Sequence, residues 1–524
     1  MQQFIDTDTL ERQLTNITES LRYLLPEAVL LAFLLLLLLS DLIFSKRATY
    51  WLISISLLGF IAHLFSLYLQ WKTLLGTQES LLLLDMLHLD GMAIFFKGLF
   101  SLAGVLAILL SIHYRSGTKE MGIESLRSLG EYYVILYGLI LGASLMAMSA
   151  NFLMLYLSLE LVSICSYILT NFNFDKKSAE AGIKYLLFGG VASGLMLYGI
   201  SLIYGFGGSL LFTDLSLLEG LIEIPAPALL IAIMFVSAGL LFKISSVPFH
   251  IWTPDVYEGA PTPVVALFSV VPKLAGLVLL LRILPLFDGL YTNIPYLDWQ
   301  WALSAVAIIT IVVGNFAALS QTNAKRMLAY SSIAHSGFLL IGVVAYSEFA
   351  THSIAFYAAI YLLMNFAAFL LIKIVSRQTG YEYIKDYKGL GKELPLLAIL
   401  ILIVMISLTG LPPTAGFTAK LFIFSSLWQT YQDTNSTIMV LLLLIGLLNT
   451  VVSLFYYLKI PYFMFFKQKE DLSEEKSGLE SQIIDSYRTI HLKDKVLAII
   501  LIFPLLLLFF KADWLMEVIK MIHF

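Results

Sequence analysis

Four charged residues and one histidine stand in the middle of long apolar stretches. Glu160 lies inside "NFLMLYLSLELVSICSYIL" and Lys243 inside "SAGLLFKISSVPF". Lys273 is central to "VVALFSVVPKLAGLVLLL", directly after Pro272, and Lys420 sits in "PPTAGFTAKLFIF". His335 is central to "AYSSIAHSGFLLIG". Snorkelling or structural pairing explains any one of these residues taken alone, but it does not explain the set. Ionisable groups in a hydrocarbon layer are costly and mark ion and proton pathways. None of the central charges is an arginine, which cannot release its proton, whereas a desolvated lysine can fall far below its usual value of about 10.4. A buried glutamate can rise toward neutrality, and histidine titrates near pH 6.5 unaided. A set made only of Lys, Glu and His can hand protons along.

Lys184, in "AGIKYLLFGG", lies about one turn inside its apolar stretch and is a weaker candidate for the same relay. Lys97, in "AIFFKGLF", is near a stretch end and is expected to snorkel. Arg282, Lys373 and Lys459 are expected at interfaces, and His63, His113 and His352 as satisfied polar residues. A two-histidine haem site requires choosing pairs freely and is rejected.

The elements that hold these residues follow from composition. The chain has 524 residues, 59% hydrophobic and 13% charged, with a mean hydropathy of +0.87. Soluble domains carry about 25% charged residues, so this is an all-α polytopic membrane protein. The net charge of −4 offers no basic face for nucleic acid. A single cysteine, Cys165, excludes disulfides and cysteine-held metal or iron–sulfur sites within the chain; a small buried residue is the plainer reading of it. The first twenty residues are polar and acidic, unlike a cleaved signal peptide.

A window of about 20 apolar residues gives about fourteen spans: 22–44, 50–70, 92–113, 132–149, 151–171, 180–204, 228–252, 262–286, 299–319, 323–346, 351–376, 395–427, 435–466 and 495–511. Spans four and five nearly fuse at Met148–Asn151, so thirteen is the alternative. Lys and Arg collect in loops after odd-numbered spans: Lys46 and Arg47; Arg115, Lys119 and Arg127; Lys176 and Lys177; Lys325 and Arg326; Arg377, Lys385, Lys388 and Lys392; Lys467, Lys469 and Lys476. Even loops hold almost none, and 205–227 offers only Asp214, Glu219 and Glu223. The positive-inside rule makes the odd loops cytoplasmic, puts both termini outside and favours fourteen.

Two spans must be broken. The seventh carries Ser245–Pro248. The twelfth region, apolar from Pro395 to Trp428, would reach about 51 Å as one straight helix, too long for a bilayer core of about 30 Å. Its interruption is "TGLPPTAGF", Thr409–Phe417. Paired broken helices in two halves of a transporter point to inverted repeats. The breaks lie five spans apart, so the expected units are spans 4–8 (132–286) and spans 9–13 (299–466). An N-terminal region, 1–131, holds spans 1–3; a cytoplasmic loop and the last span fill 467–524. No strong internal identity accompanies this. Neither GxxxxGK[ST] nor a GxGxxG after a strand is present, so an ion gradient or partners must drive the chain.

At "KISSVPFHIWTPDVYEGAPTPV" the sequence resembles the N-type antiporter-like subunits of NADH:quinone oxidoreductase, respiratory complex I, within a larger family that includes D-type subunits of multisubunit sodium/proton antiporters. Related phrases are "LPEAVLL", "NFLMLYLSLEL", "AGIKYLLFGGVASG", "KRMLAYSSIAHSGF" and "LTGLPPTAGFTAKLFIF", and the resemblance covers roughly residues 22–465. The M and L types look like "P.H.WLPDAH..AP" instead, and the M type looks like glutamate at position 420. The L type carries a long lateral helix, which the short segment after the last span disfavours. Fourteen spans also separate this chain from the shortened animal mitochondrial form.

The resemblance implies that Glu160 pairs with Lys243 and modulates it, that Lys273 and His335 carry the proton along a central axis, and that Lys420 releases it outward. It implies a proton-translocating NADH:quinone oxidoreductase, a translocase, in a bacterial inner membrane. No redox centre is expected in this chain; NADH, FMN, iron–sulfur clusters and quinone are expected in partner subunits, with M-type, K-type and neighbouring small membrane subunits alongside. Asp255 and Glu258 are expected at the cytoplasmic interface, outside the relay. The rivals are a sodium/proton antiporter subunit, a stand-alone gradient-driven carrier, and a scaffold whose central charges merely pair.

Overall fold

The structure, a computed structural model, describes residues 7–43, 49–74, 80–112, 129–294, 298–468 and 491–521. Lys46, Arg47, Arg115, Lys119, Arg127, Lys469, Lys476, His113 and the loop 470–485 lie outside these residues. In chain order the helices begin with α1 (Thr7–Tyr23), α2 (Leu25–Ile43) and α3 (Thr49–Leu74). A small hairpin follows, β1 (Ser80–Leu82) and β2 (Leu87–Leu89), antiparallel with Ser80 opposite Leu89. Then come α4 (Gly91–Ile112), α5 (Leu129–Met148), α6 (Phe152–Thr170), α7 (Lys176–Gly207), α8 (Leu215–Ile222), α9 (Ala226–Ile244), α10 (Trp252–Gly259) and α11 (Thr262–Asn293). The second half holds α12 (Trp299–Ser320), α13 (Ala324–Ala345), α14 (Glu348–Thr379), α15 (Leu390–Glu393), α16 (Pro395–Thr409), α17 (Ala415–Thr434) and α18 (Thr437–Phe466). The last helices are α19 (Leu492–Phe510) and α20 (Ala512–Met521), bent by 90° at their junction.

Each predicted window holds helix over most of its described length, the seventh only to Ile244 and the twelfth in two pieces. Among the described residues twelve helices are long and apolar enough to cross a membrane alone, and the α19–α20 pair brings the number to as many as thirteen. The twelfth window holds α16, only 15 residues long, and α17, separated by a break; neither is among the twelve. The near-fusion at Met148–Asn151 is a true junction. Asn151 caps α6 by accepting from the Leu153 N–H at 2.7 Å. The joint is tied to its surroundings by Leu87–Ser149 and Asn151–Leu211 bridges.

Burial sorts the helices. The apolar windows of α11 and α13 are each 94% buried, so these two form the centre, while α2, α7 and α18 show only about a third or less of theirs buried. Leu186, Leu187 and Val191 on α7 and Leu448, Val451 and Phe455 on α18 point outward, as lipid-facing residues do. Helices in lipid associate through close packing at small residues. Gly314 shows this on α12: a Cβ there would stand 2.6 Å from the Ala334 nitrogen of α13. Six elements had no counterpart in the sequence reading: α1, the hairpin, α8, α10, α15 and α20. All are short or amphipathic, below the reach of a 20-residue window.

Candidate functional site

Both expected breaks are present and are built alike. At the first, α9 ends on Ser245, whose backbone is left-handed (φ 62°). The Ser245 N–H reaches the Phe242 carbonyl at 3.1 Å, and the Ser246 N–H reaches back to Leu241 at 3.0 Å. At the second, α16 ends on Gly410 (φ 85°). Its N–H reaches Ser407 at 3.0 Å, and the Leu411 N–H reaches Ile406 at 3.2 Å. These are the paired reverse bonds that close a helix through a left-handed residue. A proline stands three residues beyond each, Pro248 and Pro413. The first break is also anchored to the next half of the chain: Thr310 Oγ1 on α12 accepts from the Val247 N–H at 3.0 Å.

The central lysines sit against these breaks. Lys243, two residues before Ser245, is fully buried and donates to Ser163 Oγ on α6 at 3.0 Å. Its stem runs over Gly276 of α11, where a Cβ would lie 3.3 Å from the lysine's own Cβ. Gly276 is one turn from Lys273. Lys273 is 1% exposed, donates to Ser332 Oγ on α13 at 2.8 Å, and stands 5.7 Å from the Tyr257 ring centre. Lys420 is 5% exposed; it donates at 2.7 Å to the Thr409 carbonyl, which the helix end leaves free, and lies 4.5 Å over the Phe338 ring. Among the described residues no carboxylate forms an ion pair with any of the three.

His335 lies between Lys273 and Lys420. Ser332, His335 and Phe338 recur every three residues along one face of α13. The imidazole spans two hydroxyls: Nδ1 is 2.6 Å from Tyr357 Oη and Nε2 is 3.0 Å from Tyr457 Oη. A neutral imidazole donates from one nitrogen and accepts at the other. A ring held at both ends can take a proton on one side and release it on the other.

Glu160 is placed differently from the expected pair. It shares α6 with Ser163, one turn away, but Lys243 Nζ is on Ser163, and no Glu160–Lys243 ion pair is present. Glu160 Oε1 is buried without a hydrogen-bond partner. Lys184 joins another set: it is 40% exposed, 2.7 Å from Glu180 and 3.0 Å from Asp255. Arg326 bridges Asp255 and Glu258 at 2.8 and 2.9 Å, and Lys177 meets Glu258 at 3.0 Å. This network ties α7, α10 and α13 at one end of the bundle, where Asp255 and Glu258 are kept away from the central lysines.

Two expectations are corrected. Lys97 does not snorkel: it is fully buried, 2.9 Å from Glu27 Oε1, because α2 presents an acid inside the bundle. Arg282 is not interfacial: only 7% of its side chain is exposed, and it holds Asp90 through two parallel bonds of 2.6 and 2.7 Å. Lys459 donates to the Gln321 carbonyl at the end of α12, and Lys373 to the Leu110 carbonyl at the end of α4. Cys165 is buried. Among the described residues no group of three or more His, Cys, Asp or Glu side chains could hold a metal ion.

The sequence reading missed Ser163, Ser332, Tyr357 and Tyr457, the hydroxyls that contact the candidate residues. One signal was available: Tyr357 and Tyr361 lie four apart in the centre of an apolar stretch, a place where a polar tip needs a partner.

Residues 149–446 match the family described as NADH:quinone oxidoreductase/Mrp antiporter, transmembrane. The chain is 42% identical over 429 residues to "NADH-quinone oxidoreductase subunit N 2" of Chloroherpeton thalassium, covering 80% of both proteins. Among solved structures it is similar to a chain of respiratory complex I from Thermus thermophilus, with 27% identity, a TM-score of 0.71, and 94% and 98% of the two chains covered. A chain of the Mrp complex from Dietzia sp. shares its fold, with a TM-score of 0.76 at 18% identity and 94% and 96% covered. The two structures come from multisubunit complexes.

Proposed function

The chain belongs to the family of NADH:quinone oxidoreductase and Mrp antiporter transmembrane subunits, and from that premise we propose that it is an N-type antiporter-like membrane subunit of NADH:quinone oxidoreductase that moves protons across the membrane. The observation that carries this reading is the state of the three central lysines. Each is buried, none has a carboxylate within ion-pair distance among the described residues, and each donates to a hydroxyl or a carbonyl oxygen. An ammonium without a close ion-pair partner in a low-dielectric interior is poorly held, which suits a group that gives its proton away.

The steps follow the order of the side chains. Lys243 is the loading site. With its ammonium drawn from Ser163 to Glu160, one turn away on α6, the protonated form is favoured; back on Ser163, the proton is released toward Lys273. From Lys273 it passes beside Ser332 to His335, which takes it on one nitrogen and sheds it from the other through a tyrosine hydroxyl. Lys420, on the far side of Phe338, delivers it outward. The carbonyls freed at the two helix breaks hold the water that bridges the longer steps. Moving one charge against 100 mV requires about 2.3 kcal/mol, and making or breaking a buried ion pair changes the energy by about 3–5 kcal/mol, so switching Lys243 between Ser163 and Glu160 meets the demand.

The matching breaks support a duplicated architecture: α5–α7 with broken α9–α10 and α11 form one five-span unit, and α12–α14 with broken α16–α17 and α18 form its inverted copy. Counting α16–α17 as one span gives fourteen, with both termini on the outer side of a bacterial inner membrane. NADH, FMN, iron–sulfur clusters and quinone belong to partner subunits, to which this chain couples electrostatically; M-type and K-type membrane subunits and their small neighbours lie alongside it. The experiment is Lys243→Ala in the whole assembly reconstituted into sealed vesicles, with proton uptake followed during NADH oxidation. Loss of proton movement is expected; unaltered movement would sink the assignment.

A further inference from the structure

A second buried polar cluster lies before the family match, among α2, α3 and α4. Lys97 Nζ on α4 donates to Glu27 Oε1 on α2 at 2.9 Å and to Gln70 Oε1 on α3 at 3.0 Å, and touches Met148 Sδ at the end of α5 at 3.4 Å. Gln70 is fixed in turn by donating to the Tyr23 carbonyl. One turn along α4, Ser101 meets His63 Nδ1 of α3. Lys97, His63 and Ser101 are fully buried, and Glu27 is 6% exposed. Two polar atoms there have no partner, Glu27 Oε2 and His63 Nε2. Tyr137 of α5, which donates to the Ser56 carbonyl at 2.6 Å, is a further titratable group at these helices.

The protein shows nearby what a fixed clamp looks like. Arg282 of α11 fills its donors with Asp90, His88 and the Ala147 carbonyl. Arginine suits that task because its fork matches a carboxylate and never loses its proton. The Lys97 cluster stands beside the same α5 end, where Ala147 serves the clamp and Met148 touches Lys97, yet it uses Lys, Glu and His and leaves two valences open. A cavity of about 530 Å³, lined by His88, Met92, Ser149 and Arg282 among others, opens beside the start of α4.

We propose that Glu27, Lys97 and His63 form a second proton-exchanging site, separate from the central line. With Lys97 as ammonium and Glu27 as carboxylate, the proton on Nζ moves to Oε1, leaving a neutral amine and a neutral acid with no change in total charge. An arriving proton is taken at one of the two open atoms, Glu27 Oε2 or His63 Nε2, and leaves from the other, with Lys97 exchanging its proton with Glu27 in between. The site draws on none of the central lysines, so it is tested apart from them.

The experiment uses the whole assembly in sealed vesicles, reading subunit content, quinone reduction and protons moved per electron. Lys97→Arg keeps the ion pair but cannot release a proton. The expected result is normal assembly and quinone reduction with a lowered proton yield; a clamp of purely structural purpose gives full yield with arginine, and that result overturns the proposal. If the arginine variant fails to assemble, His63→Gln decides, since it leaves Lys97 and Glu27 paired. A lowered yield supports the site, and an unchanged yield overturns it. The double variant E27Q/K97M, which removes both charges together, is expected to assemble and to show the same lowered yield.

Discussion

Lys273→Met separates a proton carrier from a structural charge, because the two predict opposite signs for stability. Lys273 is 1% exposed, and Ser332 is the hydrogen-bond partner of its ammonium, at 2.8 Å. Methionine has a similar length and shape, and such swaps cost under about 1.5 kcal/mol. A charged donor's hydrogen bond, worth about 1.5–3 kcal/mol, is lost. Against that, the substitution removes a buried ion without a counter-charge, whose desolvation penalty is several kcal/mol. Ser332 is not orphaned, since its hydroxyl keeps the Ala329 carbonyl at 2.8 Å. The net effect is neutral to stabilising, on the scale of about 1–4 kcal/mol seen when buried charges give way to apolar groups. Lys97→Met is the contrast. It strips the cation from Glu27, whose carboxylate is buried, and breaking a buried pair costs about 3–5 kcal/mol. The assay is heat-induced dissociation of the detergent-solubilised assembly, paired with proton uptake in vesicles. Lys273→Met is expected to dissociate no earlier than the unaltered complex and to lose proton uptake, while Lys97→Met dissociates earlier. Lys273→Met as fragile as Lys97→Met, or Lys273→Met with full uptake, would refute the reasoning.

Other substitutions test the packing around the lysines. Gly276→Val puts a branched side chain where even a Cβ would be 3.1 Å from Ile244 and 3.3 Å from Lys243. It is expected to shift the lysine off Ser163, cost about 1–3 kcal/mol through overpacking, and slow proton uptake in vesicles. Gly410→Ala meets two obstacles, a left-handed backbone (φ 85°) and a Cβ 2.7 Å from Lys420 Cδ. A loss of about 1–2 kcal/mol from the backbone alone, with reduced assembly and uptake, is expected in subunit-content and proton assays. Lys184→Gln removes a 40%-exposed member of the ion network. Exposed pairs contribute about 0–1 kcal/mol, so assembly holds and proton uptake stays above half; near-complete loss would put Lys184 back in the relay.

What was legible in the sequence was whatever a long apolar window or a helix-breaking dipeptide could announce. Both breaks fell where Ser245–Pro248 and Thr409–Phe417 placed them, because proline and a left-handed residue leave few alternatives. The central charges stood out because they sit deep inside their windows, whereas His250, Arg282, Lys325 and Arg326 lie near window ends. Contacts between helices were not legible. Lys97 reads as a snorkelling residue until α2 brings Glu27 beside it from 70 positions away in sequence. Arg282 reads as interfacial until Asp90 arrives across 192 positions. The hydroxyls that contact the relay residues were hidden because Ser and Tyr are common in such windows and carry no charge to mark them. The amphipathic α1 and α20 escaped a criterion tuned to uniform hydrophobicity.

The central claim is that Lys243 acts by giving up its proton and not merely by being positive. Lys243→Arg tests it most directly, since arginine keeps the charge and stays protonated. Proton uptake per NADH oxidised, measured in sealed vesicles carrying the whole assembly, is predicted to fall to the level of Lys243→Ala. Uptake equal to that of the unaltered protein would contradict the account.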